Sequence, residues 1–169
     1  MVPKTLRDTV RALYGFRCGY CGVTEAESGG ELDIDHFRPQ SHGGTDVLDN
    51  LVYACVTCNR FKGDYWPAPE AGPDLALLHP QQDDLAAHIA QLPDGRLIGL
   101  TKRGWFHIHR LRLNRSQLIT LRQQREVEQR LRQTLENNRQ AYASLLTYVR
   151  ELEQEVVTLL RIITRLTQE

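Results

Sequence analysis

The longest regular pattern of apolar positions lies in the C-terminal third of the chain. From about residue 115 to the end there is no Pro or Gly, and apolar side chains recur at alternating steps of four and three residues. This heptad spacing predicts one long α-helix with an apolar seam. The seam consists of Leu131, Leu135, Asn138, Tyr142, Leu145, Val149, Leu152, Val156, Leu159, Ile163 and Leu166.

This seam predicts association with another helix. Branched side chains alternate with leucines, which favours a parallel two-stranded coiled coil. Further apolar residues at Leu146, Tyr148, Leu160 and Ile162 broaden the stripe and leave a larger bundle or a second partner open. Packing of the helix on its own domain is the alternative. We therefore expect a homo-oligomer, or a partner protein bound through this helix.

Shorter periodic segments precede the long helix. The predicted elements are a helix over 5–14, a strand over 31–37, a short helix over 51–53 capped by Asp49 or Asn50, a helix from Cys55 to Lys62, strands over 88–92 and 97–100, and a helix over 103–113. In the strand over 31–37, alternation puts Ile34 and His36 on one face and Asp35 on the other. Asn114 is expected to cap the long helix. Together these elements predict the α+β class.

The length and hydropathy of the chain limit its organisation. A chain of 169 residues suits one compact domain with an accessory element. We expect a core over 1–66, a region of loop, short strands and helix over 67–113, and the coiled-coil helix over 114–169. No run of about 18 apolar residues is present, and the N-terminus lacks the apolar core of a secretory signal. The expectation is a cytoplasmic protein without a membrane span.

Charge is balanced overall but unevenly spread. The formal net charge is zero, yet acidic residues outnumber basic ones over 1–95, whereas basic residues dominate over 96–132. The basic block allows two interpretations, a phosphate-binding surface or a solvated helix face. Its basic residues are Arg96, Lys102, Arg103, Arg110, Arg112, Arg115, Arg122, Arg125, Arg130 and Arg132.

The four cysteines form two C-x-x-C pairs. They are Cys18, Cys21, Cys55 and Cys58. In a reducing compartment such pairs favour a metal over disulfides, and four thiolates suit one tetrahedral Zn²⁺. Because four cysteines leave no open coordination position, this zinc is expected to be structural. Free thiols or disulfides are the alternatives.

A second group of residues suits metal-assisted hydrolysis of a phosphodiester. Asp35 offers a hard oxygen ligand for Mg²⁺ or Mn²⁺. The adjacent His36 could act as a general base, which is a common role of histidine in catalysis. Asn59 directly follows a zinc-binding cysteine, which would fix its amide oxygen as a second ligand.

These motifs together resemble the HNH family, also called the ββα-metal nucleases. The resemblance covers roughly residues 15–65 and rests on Asp35-His36, Asn50-Leu51, the C-x-x-C pairs, Asn59 and Lys62-Gly63. It implies a ββα core with zinc knuckles. It also implies that His36 activates water, Asp35 and Asn59 hold one divalent cation, and Asn50 orients the loop and the histidine. Many relatives have His where this chain has Asn59, and the neutral amide favours Mg²⁺.

The resemblance predicts an endonuclease that hydrolyses DNA, with RNA as an open alternative. Arg38, Arg60 and Lys62 are candidate phosphate contacts. Small proteins of this kind resemble components of anti-phage defence systems or mobile elements. The alternative function is a non-catalytic zinc-knuckle nucleic-acid-binding module, or a scaffold subunit recruited through its coiled coil.

Overall fold

The computed structural model describes residues 2–167 and has the predicted α+β class. It divides into two compact units, Met1–Gln123 and Gln124–Glu169. The helices are α1 (Lys4–Leu13), α2 (Glu25–Ser28), α3 (Val56–Lys62), α4 (Leu85–His88), α5 (Lys102–Arg110) and α6 (Ser116–Leu166). The strands are β1 (Asp33–His36), β2 (Leu51–Ala54), β3 (Ile89–Gln91) and β4 (Leu97–Gly99).

The centre of the first unit is the succession β1, β2, α3. The strands β1 and β2 pair antiparallel, with Asp35 opposite Val52 and His36 opposite Leu51. The prediction of a short helix over 51–53 is wrong, because this segment belongs to strand β2. All four residues of β2 are buried. A fully buried apolar run has no period of its own, so sequence periodicity cannot separate strand from helix there.

In strand β1 the polar Asp35 is more buried than its neighbours on the opposite face. Asp35 is 6% exposed, whereas Ile34 on the neighbouring position is only half-buried. The carboxylate therefore points into the protein, toward partners supplied by other elements. Burial of a carboxylate requires compensating hydrogen bonds or charge, and these partners belong to the site described below.

The segment after α3 completes the first unit. The hairpin of β3 and β4 was predicted, and α5 begins and ends close to its predicted bounds. The capping role expected for Asn114 is wrong. Its side-chain amide instead accepts from Leu97 N at 2.7 Å and donates to Leu97 O at 2.8 Å. Asn114 thus joins the start of β4 to the chain that precedes α6.

Several arginines of the basic block have partners inside the first unit. Arg103 forms a two-pronged ion pair with Asp83 at 2.8 Å. Arg110 donates to Lys62 O at 2.9 Å, and Arg122 donates to Gly95 O at 2.6 Å. These contacts favour a structural role for this part of the block over a phosphate-binding surface.

The second unit is helical from Gln124 to Leu166 and belongs to α6. Its apolar side chains are exposed along the predicted seam: Leu145 is 57% exposed and Ile163 is 56% exposed. The predicted long helix is confirmed, whereas its pairing as a coiled coil stays a prediction. Among residues 2–167, no helix combines the length and apolar character needed to cross a membrane.

Candidate functional site

The four cysteines converge in the first unit. All four Sγ atoms lie within 4.8 Å of one another, and Cys21 Sγ lies 3.7 Å from Cys55 Sγ. Tetrahedral zinc with Zn–S bonds of about 2.3 Å requires sulfur–sulfur separations of about 3.8 Å. The donor set and its spacing therefore fit one Zn²⁺, as predicted.

Local backbone structure positions each cysteine pair. In the first pair, Gly22 has φ +72° and donates its N–H to Cys18 O at 2.8 Å, which closes a tight turn. In the second pair, Cys55 is the N-cap of α3, and its sulfur accepts from Cys58 N at 3.4 Å. The cysteine cluster is thereby attached directly to the start of α3.

Asp35 and Lys62 form a buried ion pair between β1 and α3. Lys62 is fully buried, and its ammonium donates to Asp35 Oδ1 at 3.0 Å and to His36 O at 2.7 Å. Tyr20 Oη donates to the other carboxylate oxygen at 2.5 Å. Burial raises the pKa of Asp35, while the Lys62 charge and the two hydrogen bonds act in the opposite direction. The pair locks the end of β1 to α3.

His36 is paired with a carboxylate that sequence reasoning missed. Its Nε2 lies 2.6 Å from Asp46 Oδ1, and the His36 side chain is 18% exposed. Gln40 Nε2 also donates to this oxygen at 3.1 Å. The His36 hydrogen bond lowers the pKa of the Asp46 carboxyl. No motif marks Asp46, because its proximity to His36 depends on how the intervening loop folds back.

Asn50 and Gly44 shape that loop. Asn50 accepts from Arg38 N at 2.8 Å and donates to Arg38 O at 3.1 Å and Thr45 O at 2.9 Å. At Gly44 a Cβ atom would lie 1.7 Å from Arg38 O, so only glycine fits. The Asn50 side chain therefore ties the end of the loop between β1 and β2 to its start, and Gly44 allows the backbone to pass close to Arg38 O.

The remaining predicted residues have different surroundings. Asn59 is half-buried on α3, three residues before Lys62, so the two residues occupy neighbouring positions on one side of the helix. Arg38 and Arg60 are exposed. Arg38 donates to His42 O at 2.7 Å, and its guanidinium lies 5.5 Å from the Trp66 ring centre. The burial of Lys62 gives it a structural role and argues against a direct phosphate contact.

Comparisons with known proteins agree with this geometry. Residues 18–65 match the model of the family described as HNH endonuclease. The chain is also 26% identical over 117 residues to the Septu protein PtuB of Bacillus mycoides (strain KBAB4). That match spans 51% of this chain and 38% of the relative, so less than half of the relative's length is covered. No solved structure matches the chain significantly. The segment that matches the HNH endonuclease model, residues 18–65, is the part of the chain that holds the ββα core and the four-cysteine cluster.

Proposed function

We propose that the chain is a metal-dependent endonuclease that hydrolyses phosphodiester bonds of DNA. The observation that carries the proposal is the His36–Asp46 pair at the end of β1, in a domain of the HNH family. A partly exposed histidine with a carboxylate at 2.6 Å is a suitable base for removing a proton from water.

His36 is the general base in this proposal, and Asp46 is its positioning residue. A carboxylate that accepts the N–H of one ring nitrogen fixes the tautomer and leaves the other nitrogen as a proton acceptor. The negative charge of Asp46 also stabilises the imidazolium that forms when His36 takes the proton. Asn50 supports this arrangement indirectly, since it holds the backbone of the loop that carries Asp46.

Asp35 and Asn59 are the proposed ligands of one Mg²⁺ or Mn²⁺ ion. A carboxylate and an amide oxygen are hard donors that suit these cations. Tyr20 and Lys62 each occupy one lone pair of the Asp35 carboxylate, which has about four, so acceptor capacity remains. When bound, the cation would stabilise negative charge on the scissile phosphate. The exposed Arg38 and Arg60 are the proposed phosphate contacts.

The biological setting is proposed from the relative. Similarity to the Septu protein PtuB supports a role in an anti-phage defence system, as expected for small proteins of this kind. The exposed apolar seam of α6 supports assembly with a second copy or with a partner protein. A scaffold function without cleavage is the competing outcome, and activity of the purified chain separates the two.

The test compares Asp46→Asn with Asp49→Asn in the zinc-loaded protein. Asp49 is an exposed acid of the same loop and is the matched control. With supercoiled plasmid and Mg²⁺ or Mn²⁺, we expect Asp46→Asn to slow nicking by about ten-fold or more, and His36→Ala by about 10²–10⁴-fold. Equal rates for Asp46→Asn and the wild type would contradict the positioning role. Equal rates for His36→Ala would contradict the proposed mechanism.

A further inference from the structure

Arg115 lies against the cysteine cluster, although it is far from the cysteines in sequence. It stands between α5 and α6 and is half-buried. Its Nη2 lies 3.5 Å from Cys58 Sγ, 3.9 Å from Cys21 Sγ and 4.0 Å from Cys55 Sγ. One guanidinium nitrogen thus contacts three of the four predicted zinc ligands. The residue is outside the segment 18–65 that matches the HNH family.

The charge of the zinc centre explains why a cation is needed there. Zn²⁺ with four thiolates is doubly negative, and here three of the cysteines are buried and the fourth is half-buried. Uncompensated charge in such surroundings is costly. Groups that donate to metal ligands commonly account for a large part of the metal affinity. Guanidinium suits this task because it stays protonated and presents several donors in one plane.

We infer that Arg115 is the counter-ion of the zinc centre and that it helps to retain the metal. Its guanidinium donates to the thiolates and offsets their negative charge, so the junction of α5 and α6 forms part of the zinc site. The inference rests on the cysteine cluster alone and is independent of the proposed nuclease activity. Metal retention therefore tests it, whether or not the protein cleaves DNA.

Arg112 is a matched control, because its guanidinium group shares the contact of Arg115 with the Phe61 ring. Both guanidinium groups lie near the Phe61 ring, at 4.7 Å for Arg112 and 5.9 Å for Arg115. Arg112 is exposed, whereas Arg115 is half-buried. Arg115 also donates through Nη1 to Leu111 O and Arg112 O at 3.3 Å, at the end of α5. A purely structural role would depend on these carbonyl contacts rather than on charge.

The experiment measures transfer of zinc from the full-length, zinc-loaded protein to a chromogenic chelator. Arg115→Ala is expected to lower zinc affinity about 10–100-fold, as loss of a group that bonds metal ligands commonly does. Arg112→Ala is expected to behave as the wild type. Arg115→Lys keeps the positive charge and should retain zinc better than Arg115→Gln, which keeps donors for the helix carbonyls but has no charge.

The variants Arg115→Lys and Arg115→Gln keep the inference testable if Arg115→Ala does not fold. Circular dichroism of each zinc-loaded variant establishes that it is folded before transfer is measured. The inference is overturned if Arg115→Ala retains zinc within two-fold of the wild type, or if Arg112→Ala loses zinc as readily. It is also overturned if Arg115→Gln and Arg115→Lys release zinc at the same rate.

Discussion

Replacing Lys62 by Met tests whether this residue is a structural counter-ion or a phosphate contact. The substitution keeps an unbranched four-atom stem but removes an ammonium that is fully buried. The Asp35 carboxylate, 6% exposed, would then keep only the Tyr20 hydrogen bond, and His36 O would lose its donor. Removing one partner of a buried ion pair costs about 3–5 kcal/mol, because the remaining charge is left uncompensated. We expect Lys62→Met to lower the free energy of unfolding by about this amount.

The assay is urea unfolding followed by circular dichroism, with zinc in excess. Arg60→Met is the control, because Arg60 is on the same helix but exposed, and its loss should change stability by no more than about 0.5 kcal/mol. In the double variant Asp35→Asn/Lys62→Met, part of the loss should be recovered, since no carboxylate remains unpaired. Unchanged stability of Lys62→Met, together with weaker DNA binding, would refute the structural role.

Three further predictions concern other parts of the molecule. Burial lowers the pKa of His107 from 6.5 to about 4, and its Nδ1 accepts from Leu78 N. As the pH falls, His107 is protonated in the unfolded chain before it is protonated in the folded protein. The free energy of unfolding should therefore drop by about 3 kcal/mol between pH 6.5 and 4. In His107→Asn this part of the pH dependence should be missing, and an unchanged profile would argue against the assignment. Gly44→Ala puts a Cβ atom against Arg38 O, so nicking should fall at least ten-fold while zinc content stays normal; wild-type rates would mean that the loop adapts. Leu152→Glu, in the middle of the exposed seam, should reduce the mass measured by light scattering if α6 self-associates. If the wild-type protein is already monomeric, the seam would instead be expected to bind a partner protein.

The features predicted correctly from sequence are those encoded locally. The C-x-x-C spacing is itself the geometry of a metal-binding turn, so Cys18 and Cys21 could be assigned without knowledge of the fold. The helix α6 could be assigned from its period alone, over many turns without Pro or Gly. Strand β2 could not, because its four residues are all buried and show no alternation.

The features that sequence reasoning missed depend on contacts between distant parts of the chain. Lys62 lies 27 residues from Asp35, and nothing in the local sequence distinguishes a buried lysine from one on the surface. Asp46 approaches His36 only because the loop between β1 and β2 folds back. Arg115 approaches the cysteine cluster across 57 residues or more. Each of these partners satisfies a charge or a hydrogen bond that the predicted site residues leave open.

In the proposed function, the chain cleaves DNA with His36 as the general base. The most direct test incubates zinc-loaded wild type and His36→Ala with supercoiled plasmid in Mg²⁺ or Mn²⁺, beside a control in which EDTA chelates the added cation. We expect nicked or linear DNA only when the wild-type protein and the added cation are both present. Folded, zinc-loaded wild type that leaves the plasmid intact with either cation would contradict autonomous cleavage, and equal cleavage by His36→Ala would contradict the assignment of the base.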